Sequence, residues 1–155
     1  MPGVWDDLMK MLIRANPQDF LSFIFQGARY LADITNEQKV RSIITDFLCK
    51  AEIDEQEIIV HIEFQRRHDK TMGRRMWEYN STVAFLTGLP VYSFVIYLRE
   101  DDYIVEPPYL LKGVRGEILQ VLNYENIFLW EVPPEGLQQA GLEGLLPLLP
   151  LTKGA

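Results

Sequence analysis

The spacing of apolar residues predicts helices over the first part of the chain. Val4, Leu8 and Leu12 recur on one helical face, and the same spacing resumes after an interruption at Asn16-Pro17. Asparagine followed by proline is typical of a helix start, with proline at the first helical position. We therefore expect two short helices within residues 4–31.

The next segments have the composition and spacing of strands. β-branched residues become frequent from position 40 to position 53, which predicts either two strands, 40–44 and 46–52, or one long bent strand. A turn at Glu55-Gln56 leads into residues 58–65, where side chains alternate with the period of two that is typical of a strand.

A helix, a buried strand and a β-rich end complete the pattern. Residues 70–87 have helical spacing, and Gly88 and Pro90 end that helix. The nearly unbroken apolar run 91–98 indicates a central strand that is covered on both faces. After it we expect strands at 117–122 and 126–132 around a turn at Asn123, a short helix at Pro133-Pro134 and a proline-broken apolar segment at 145–151. This order predicts a single α/β layered domain.

Composition sets the broad class of protein. The 155 residues, 48% of them apolar and 24% charged, are the size and composition of one globular domain. No apolar stretch approaches the roughly 20 residues that a membrane span needs, and Asp6 and Asp7 occupy positions where a secretion signal is basic or apolar. The single cysteine, Cys49, excludes an internal disulfide and a cysteine-rich zinc site. We expect a soluble, cytoplasmic protein that does not associate with membranes.

The charged residues are unevenly distributed. A net charge of −7 argues against a broad non-specific DNA-binding surface, which would have to neutralise phosphates. Five of the 15 lysines and arginines nevertheless fall within ten positions: Arg66, Arg67, Lys70, Arg74 and Arg75. The cluster fits phosphate contact and a solvated face equally well. Tyr79, one helical turn after Arg75, either lines the same cleft or packs in the core.

Three polar residues on two neighbouring predicted strands form a candidate catalytic group. Counting back from the turn of an antiparallel pair places Asp46 opposite Glu63, with Gln65 on the same side. Carboxylates on rigid strands suit a hard divalent cation, which lowers the pKa of an attacking water. Taken alone, such residues also occur in sheets without a catalytic role. His61, on the same side, fits a hydrogen-bonded structural role better than that of a ligand.

The chain resembles the Rpn-type recombination-promoting nuclease and transposase-like family, within the PD-(D/E)XK nuclease superfamily, at five segments in order. These are residues 61–65 (HIEFQ), 74–76 (RRM), 78–80 (EYN), 88–92 (GLPVY) and 144–152 (GLLPLLPLT). The resemblance spans essentially the whole chain. It implies a PD-(D/E)XK restriction-endonuclease-like core of helix, three strands, helix and strand, with a β-rich C-terminal extension. The expectation is one nuclease-like domain over residues 1–155, a short or trimmed family member, because relatives continue beyond the last segment.

The resemblance also implies an activity and a set of residues. The activity is that of a metal-dependent DNA endonuclease in recombination or mobile-element processes, with Mg²⁺ or Mn²⁺ as cofactor and DNA as partner. Asp46, Glu63 and the backbone carbonyl of Phe64 would hold the metal, and Gln65 would complete the catalytic set. Glu37 stands where relatives carry an upstream acid, and is carried over as a further ligand.

One residue departs from the pattern of the superfamily, whose usual third residue is lysine. Gln65 cannot supply a positive charge, so transition-state stabilisation must come from the metal or from Arg74, Arg75 or Lys50.

Two other functions are open at this point. The acidic net charge and Gln65 also fit a catalytically inactive nuclease fold that serves as a binding or regulatory module. A third alternative is a structural protein that forms a homodimer through its apolar C-terminal segment. A pair of carboxylates within metal-bridging distance and open to solvent would favour the enzyme, whereas burial in ion pairs would weaken it.

Overall fold

Two amphipathic helices begin the chain, as their spacing predicted. In the computed structural model, which describes residues 3–34, 45–138 and 141–155, they are α1 (Val4–Ala15) and α2 (Pro17–Ile24). Pro17 occupies the first turn of α2, where a backbone N–H would have no acceptor within the helix, so that proline loses no hydrogen bond. Asn16 does not cap α2 with its side chain, because its Nδ2 donates to the Leu12 carbonyl at the end of α1.

The prediction of helix up to residue 31 was wrong, because strand β1 (Arg29–Asp33) begins there. α2 ends at Ile24, and Gly27 turns the chain with a φ of 91°, a conformation that glycine adopts without strain. β1 then pairs antiparallel with β2 (Phe47–Ile53). The backbone hydrogen bonds between β1 and β2 favour a strand here, because the helical spacing of apolar residues is weak in this segment.

A hairpin of β2 and β3 (Gln56–Gln65) stands at the centre of the fold. Its turn is formed by Asp54 and Glu55, whose φ values of 51° and 65° are those of a two-residue hairpin turn. The strand predicted over 58–65 is therefore confirmed and is two residues longer. The register joins Phe47 with Ile62, and it decides which side chains reach each face of the sheet.

The main sheet is mixed, with five strands in the order β1-β2-β3-β4-β7. β1, β2 and β3 pair antiparallel with one another. β4 (Val91–Tyr97) runs parallel to β3, and β7 (Glu125–Phe128) runs parallel to β4. β4 is the predicted central strand, and its side chains are buried on both faces from Ser93 onward. The chain is thus an α/β protein built on a mixed sheet.

Helices cover both faces of this sheet. On one face lies α3 (Met72–Thr87), which ends at Gly88 with a φ of 68° as the sequence predicted, and whose Met76 packs against Val95. The other face packs against α1, α2 and the C-terminal segment in the largest apolar cluster. Since the two faces alternate along β3, the even-numbered residues from Ile58 to Phe64 belong to this second cluster.

The β-rich end forms two separate parts, so the expected pairing around Asn123 was wrong. β6 (Ile118–Leu122) pairs with β5 (Tyr109–Lys112) in a two-stranded sheet of their own. β7 instead joins the main sheet, where Phe128 lies against the ring of Tyr97 with centroids 5.7 Å apart. Pairing with a buried strand gives β7 apolar contacts that an isolated hairpin cannot offer.

The last segments pack back onto the core. α4 (Pro134–Gln138) confirms the predicted short helix, and the apolar segment is a 3₁₀ helix, Glu143–Leu151, whose Leu145 and Leu148 are fully buried. Asp19 of α2 holds its start by accepting a 2.8 Å hydrogen bond from the Gly144 backbone N–H. Two of the apolar side chains on which the homodimer alternative rested are therefore used inside the chain, whereas Leu146 is 40% exposed, and the homodimer stays a prediction.

Two expectations fall outside the described residues: the strand at 40–44 and the side chain of Glu37. Within the described residues, every helix is too short or too polar to cross a membrane.

Candidate functional site

Two carboxylates meet where β2 begins and β3 ends. The pairing of Phe47 with Ile62 brings Asp46, one residue earlier, opposite Glu63. The backbone N–H of Asp46 donates to Glu63 Oε2 at 3.1 Å, and the backbone N–H of Phe64 donates to Asp46 Oδ2 at 2.9 Å. These reciprocal bonds fix both carboxylates against the backbone, so the predicted juxtaposition of Asp46 and Glu63 is confirmed.

The two carboxyl groups share a site but not an environment. Burial, and then the negative charge of Glu63, raise the pKa of Asp46 to about 7 from its usual 3.8. Burial by itself would also raise the pKa of Glu63, but the hydrogen bonds with His61 and with Asp46 lower it. The proton that the pair retains near neutral pH therefore resides on Asp46, and Glu63 is ionised.

Solvent reaches the two carboxylates unequally. The side chain of Asp46 is 23% exposed, and that of Glu63 is 3% exposed. Asp46 Oδ1 lies 3.6 Å from Lys10 Nζ, and Glu63 Oε1 lies 3.2 Å from His61 Nε2. One member of the pair is thus accessible to a ligand, and the other is anchored in the interior.

Behind Glu63, a chain of buried polar groups crosses the sheet to α3. His61 Nδ1 lies 2.9 Å from Ser93 Oγ on β4. The amide Nδ2 of Asn80, on α3, donates to Ser93 Oγ at 2.9 Å and to the Val91 carbonyl at 2.8 Å. His61, Ser93 and Asn80 are all at least nine-tenths buried, so no solvent replaces these bonds.

Both ring nitrogens of His61 are hydrogen-bonded within this chain. Glu63 Oε1 belongs to a carboxylate, so Nε2 carries a hydrogen and donates to it at 3.2 Å. At the other nitrogen, Nδ1 lies 2.9 Å from Ser93 Oγ, a hydroxyl that can donate as well as accept. The predicted structural role of His61 is therefore supported by its contacts.

Gln65 and Phe64 lie beyond the pair, at the end of β3. The side-chain amide of Gln65 donates to the Arg67 carbonyl at 2.9 Å, so that it is tied to the segment that follows the strand. Both residues line a cavity of about 350 Å³. The remaining lining is formed by Gly3, Asp6, Arg66 and Arg67.

Helix α1 forms one wall of the site, which the sequence did not predict. Gly3 and Asp6, in its first turn, line the cavity, and Lys10 follows Asp6 by one helical turn on the same face. The guanidinium of Arg66 packs so closely on Gly3 that a Cβ at residue 3 would clash with it. The helix therefore brings both a carboxylate and an ammonium group to the rim of the site.

The predicted basic cluster is divided among four places. Arg66 and Arg67 line the cavity, while Lys70 is exposed in the loop before α3. Arg74 points to solvent and pairs with Glu78 at 3.0 Å. Arg75 is partly exposed, and Asp69 accepts its hydrogen bond at 2.7 Å.

Tyr79 packs rather than facing the cavity. Its ring meets the ring of His61 edge to face, with centroids 5.7 Å apart. Tyr79 thus contacts the histidine that is bonded to Glu63.

Three polar residues near the carboxylates were not predicted from the sequence, and only two of them, Ser93 and Asn80, could have been. Ser93 is a small polar residue in the apolar run 91–98, and Asn80 continues the spacing of the buried Met72 and Met76 on α3. A polar residue at such a core position indicates a buried partner. Lys10 left no comparable signal, because its role depends on how α1 packs against the strand ends.

The described residues contain no group of three or more aspartate, glutamate, histidine or cysteine side chains arranged to hold a metal. Comparisons of the chain with protein-family models, with curated proteins and with solved structures give no match. Inference about function therefore starts from the geometry of the site and from the residues themselves.

The buried hydrogen-bond chain predicts a cost for removing its middle member. Ser93→Ala should lower the free energy of unfolding by about 1–3 kcal/mol, because His61 Nδ1 loses its partner and Asn80 loses one of two. Ser81→Ala, on the exposed side of α3, is the matched control and should change stability by no more than about 0.5 kcal/mol. Urea unfolding measures both, and equal effects would contradict the proposed chain.

The carboxylate pair predicts a pH-dependent stability that Asp46→Asn removes. Since the folded pKa of Asp46, about 7, exceeds its usual 3.8, protonated Asp46 stabilises the fold below about pH 4, and this contribution is lost as the pH rises through 7. Between about pH 4 and pH 8, the unfolding free energy of Asp46→Asn should therefore rise by about 2–4 kcal/mol relative to the wild type. Urea unfolding in EDTA tests this, and a difference independent of pH would exclude the coupled pair.

Proposed function

We propose that this chain is a Mg²⁺- or Mn²⁺-dependent DNA endonuclease with a PD-(D/E)XK core. The observation that carries the proposal is the pair formed by Asp46 and Glu63, held by the backbone where two neighbouring strands meet. Neither carboxylate lines the adjoining cavity, which begins at Phe64, the residue after Glu63, and has Arg66 and Arg67 on its rim. A rigid carboxylate pair with pKa values pushed apart is typical of functional sites.

The order of elements supports the proposed core. Two helices, three antiparallel strands, a helix and a parallel strand follow one another along the described chain. The resemblance implies the order helix, three strands, helix and strand. The candidate carboxylates occupy the two central strands of that arrangement, where the resemblance also assigns them.

The donor atoms at the site fit a hard divalent cation. Mg²⁺ usually binds proteins through one or two carboxylates and completes its shell with water and substrate phosphate, so Asp46 and Glu63 suffice as side-chain ligands. The repulsion that raises the pKa of Asp46 is the kind that a divalent cation relieves. The third proposed ligand is the backbone carbonyl of Phe64, the residue that follows Glu63 and one of those that line the cavity.

When bound, the metal would supply a Lewis acid that lowers the pKa of a water and neutralises charge at the phosphate. The chain's own residues hold the proposed ligands in position. The backbone N–H groups of Asp46 and Phe64 hold the carboxylates, and His61 keeps Glu63 ionised.

DNA would approach along the rim formed by Arg66 and Arg67. These two residues line the cavity, whereas Arg74 is already paired with Glu78 on the exposed side of α3. The net charge of −7 repels DNA elsewhere and so favours contact at this edge. A role in recombination or in mobile elements rests on the resemblance alone.

One observation favours the second candidate, a catalytically inactive binding or regulatory module. Glu63 is almost completely buried and its Oε1 is bonded to His61, so fewer of its lone pairs face a metal than those of Asp46. Such a module would bind DNA at the same edge without cleaving it, and the cleavage assay below therefore distinguishes it from the enzyme.

The proposed enzyme predicts that each carboxylate is needed for cleavage. Asp46→Asn and Glu63→Gln should each reduce Mg²⁺-dependent nicking of supercoiled plasmid by about 100-fold or more, because each removes a hard oxygen ligand. Calorimetry should likewise show that each variant binds Mn²⁺ more weakly than the wild type does. Glu57→Gln, an exposed change on β3, is the matched control and should cleave like the wild type.

Two results would contradict this assignment. Undiminished cleavage by both carboxylate variants would mean that the metal lies elsewhere. DNA binding without cleavage by the wild type, in Mg²⁺ and in Mn²⁺, would establish the inactive module instead.

The proposed DNA edge predicts a change in salt dependence. Each phosphate contact contributes about 0.9 to the slope of log affinity against log salt, so Arg66→Gln with Arg67→Gln should flatten that slope by up to about 2 units. The matched control, Arg14→Gln with Arg29→Gln, removes the same charge from exposed positions outside the cavity. Equal flattening by both pairs, measured by fluorescence anisotropy, would show that only net charge matters.

A further inference from the structure

The candidate site lacks an assigned positive charge. Gln65 is neutral, and its amide is bonded to the Arg67 carbonyl at 2.9 Å. A transferring phosphate develops negative charge that a fixed cation stabilises strongly in a water-poor site. Any positive charge that the chain itself adds to that of the metal must therefore come from a residue other than Gln65.

The basic residues considered from the sequence are paired with other acids or lie far from Asp46. Arg74 extends into solvent and pairs with Glu78. Arg75 is 36% exposed and pairs with Asp69 at 2.7 Å. Lys50 lies four positions along β2 from Asp46, which is about 13 Å in an extended strand.

Lys10 approaches the pair from α1 instead. Its Nζ lies 3.6 Å from Asp46 Oδ1, the only acidic partner within ion-pair distance among the described residues. The side chain is 34% exposed, so the ammonium group can contact a ligand in solvent as well as Asp46. Asp6, one helical turn before Lys10 on the same face of α1, lines the cavity, so this face of the helix runs from the cavity to the accessible carboxylate.

We propose that Lys10 is a catalytic residue of this site, whose ammonium group contacts a non-bridging oxygen of the scissile phosphate. The inference rests on the proposed nuclease function and deepens it. In the reaction, a bond forms between a water oxygen and phosphorus, and the bond from phosphorus to the leaving sugar oxygen breaks. One water proton ends on that sugar oxygen, and the other stays on the new phosphate oxygen until it ionises. Lys10 remains protonated throughout and offsets the charge that grows on the phosphate.

The first test compares Lys10→Gln with Arg14→Gln, which removes the same charge one turn further along α1 at an exposed position. Under Mg²⁺, Lys10→Gln should lower kcat for plasmid cleavage about 100-fold, the usual effect of removing one transition-state donor. Arg14→Gln should leave kcat unchanged. Lys10→Met, which keeps the aliphatic stem, replaces Lys10→Gln if near-UV circular dichroism shows that the glutamine variant does not fold.

The second test measures phosphate contact without catalysis. In EDTA and in an Asp46→Asn background, binding of a short DNA duplex should lose about 0.9 from its salt slope when Lys10→Gln is added. Adding Arg14→Gln should leave the slope unchanged. A Lys10 that merely positioned Asp46 would not affect this slope, because Asp46 is already replaced.

The outcomes separate this inference from the proposed function. Loss of cleavage together with the change in slope supports Lys10. Cleavage by the wild type with equal behaviour of the Lys10 and Arg14 variants overturns the role of Lys10 and leaves the nuclease. Loss of cleavage with an unchanged slope overturns the phosphate contact. A wild-type protein that neither cleaves nor binds DNA overturns both.

Discussion

The site depends on the register between β2 and β3. That register sets Asp46 against Glu63, and each carboxylate then accepts a hydrogen bond from the partner strand's backbone. A shift of β2 by one residue would turn its side chains to the opposite face of the sheet, so the carboxylate pair would not exist. The two-residue turn at Asp54 and Glu55 fixes the register from one end, and the apolar alternation of β3 fixes it along its length. The juxtaposition of the two carboxylates is thus a consequence of how the hairpin of β2 and β3 is closed.

The two carboxylates differ in burial and in hydrogen bonding. His61 and Asp46 lower the pKa of buried Glu63, and Ser93 and Asn80 continue the hydrogen bonds of His61 to α3. Such a network adds little net stability when complete, yet losing one member leaves buried groups unsatisfied. It therefore makes the position of Glu63 definite rather than the fold more stable. Asp46, at the open end, is the member of the pair that solvent reaches.

Sequence patterns predicted the parts of the fold that depend on local spacing. The helix break at Asn16-Pro17, strand β3, the end of α3 at Gly88 and the juxtaposition of Asp46 and Glu63 are all consequences of periodicity and turn residues. Strand β1 and the partner of β7 were missed, because both are decided by pairing with strands distant in sequence. The same limit applies to Lys10, since a contact between a helix and a strand end depends on packing that no single segment encodes. Basic residues close together in sequence were likewise divided among separate surfaces by the fold.

The electrostatics of the pair bear on the choice between an enzyme and an inactive module. A fold that needed only the hydrogen bonds at this corner would be served by an asparagine at position 46, whose side-chain oxygen accepts as well and brings no charge near Glu63. Asp46 instead places a second carboxyl group against an ionised one, where burial and repulsion raise its pKa to about 7. Without a cation, that arrangement costs stability as the pH rises through neutrality. Lys10 offsets part of the repulsion, but at 3.6 Å and one-third exposed it leaves room for a stronger cation. Relief of this repulsion by positive charge is what the proposed binding of metal and phosphate would supply.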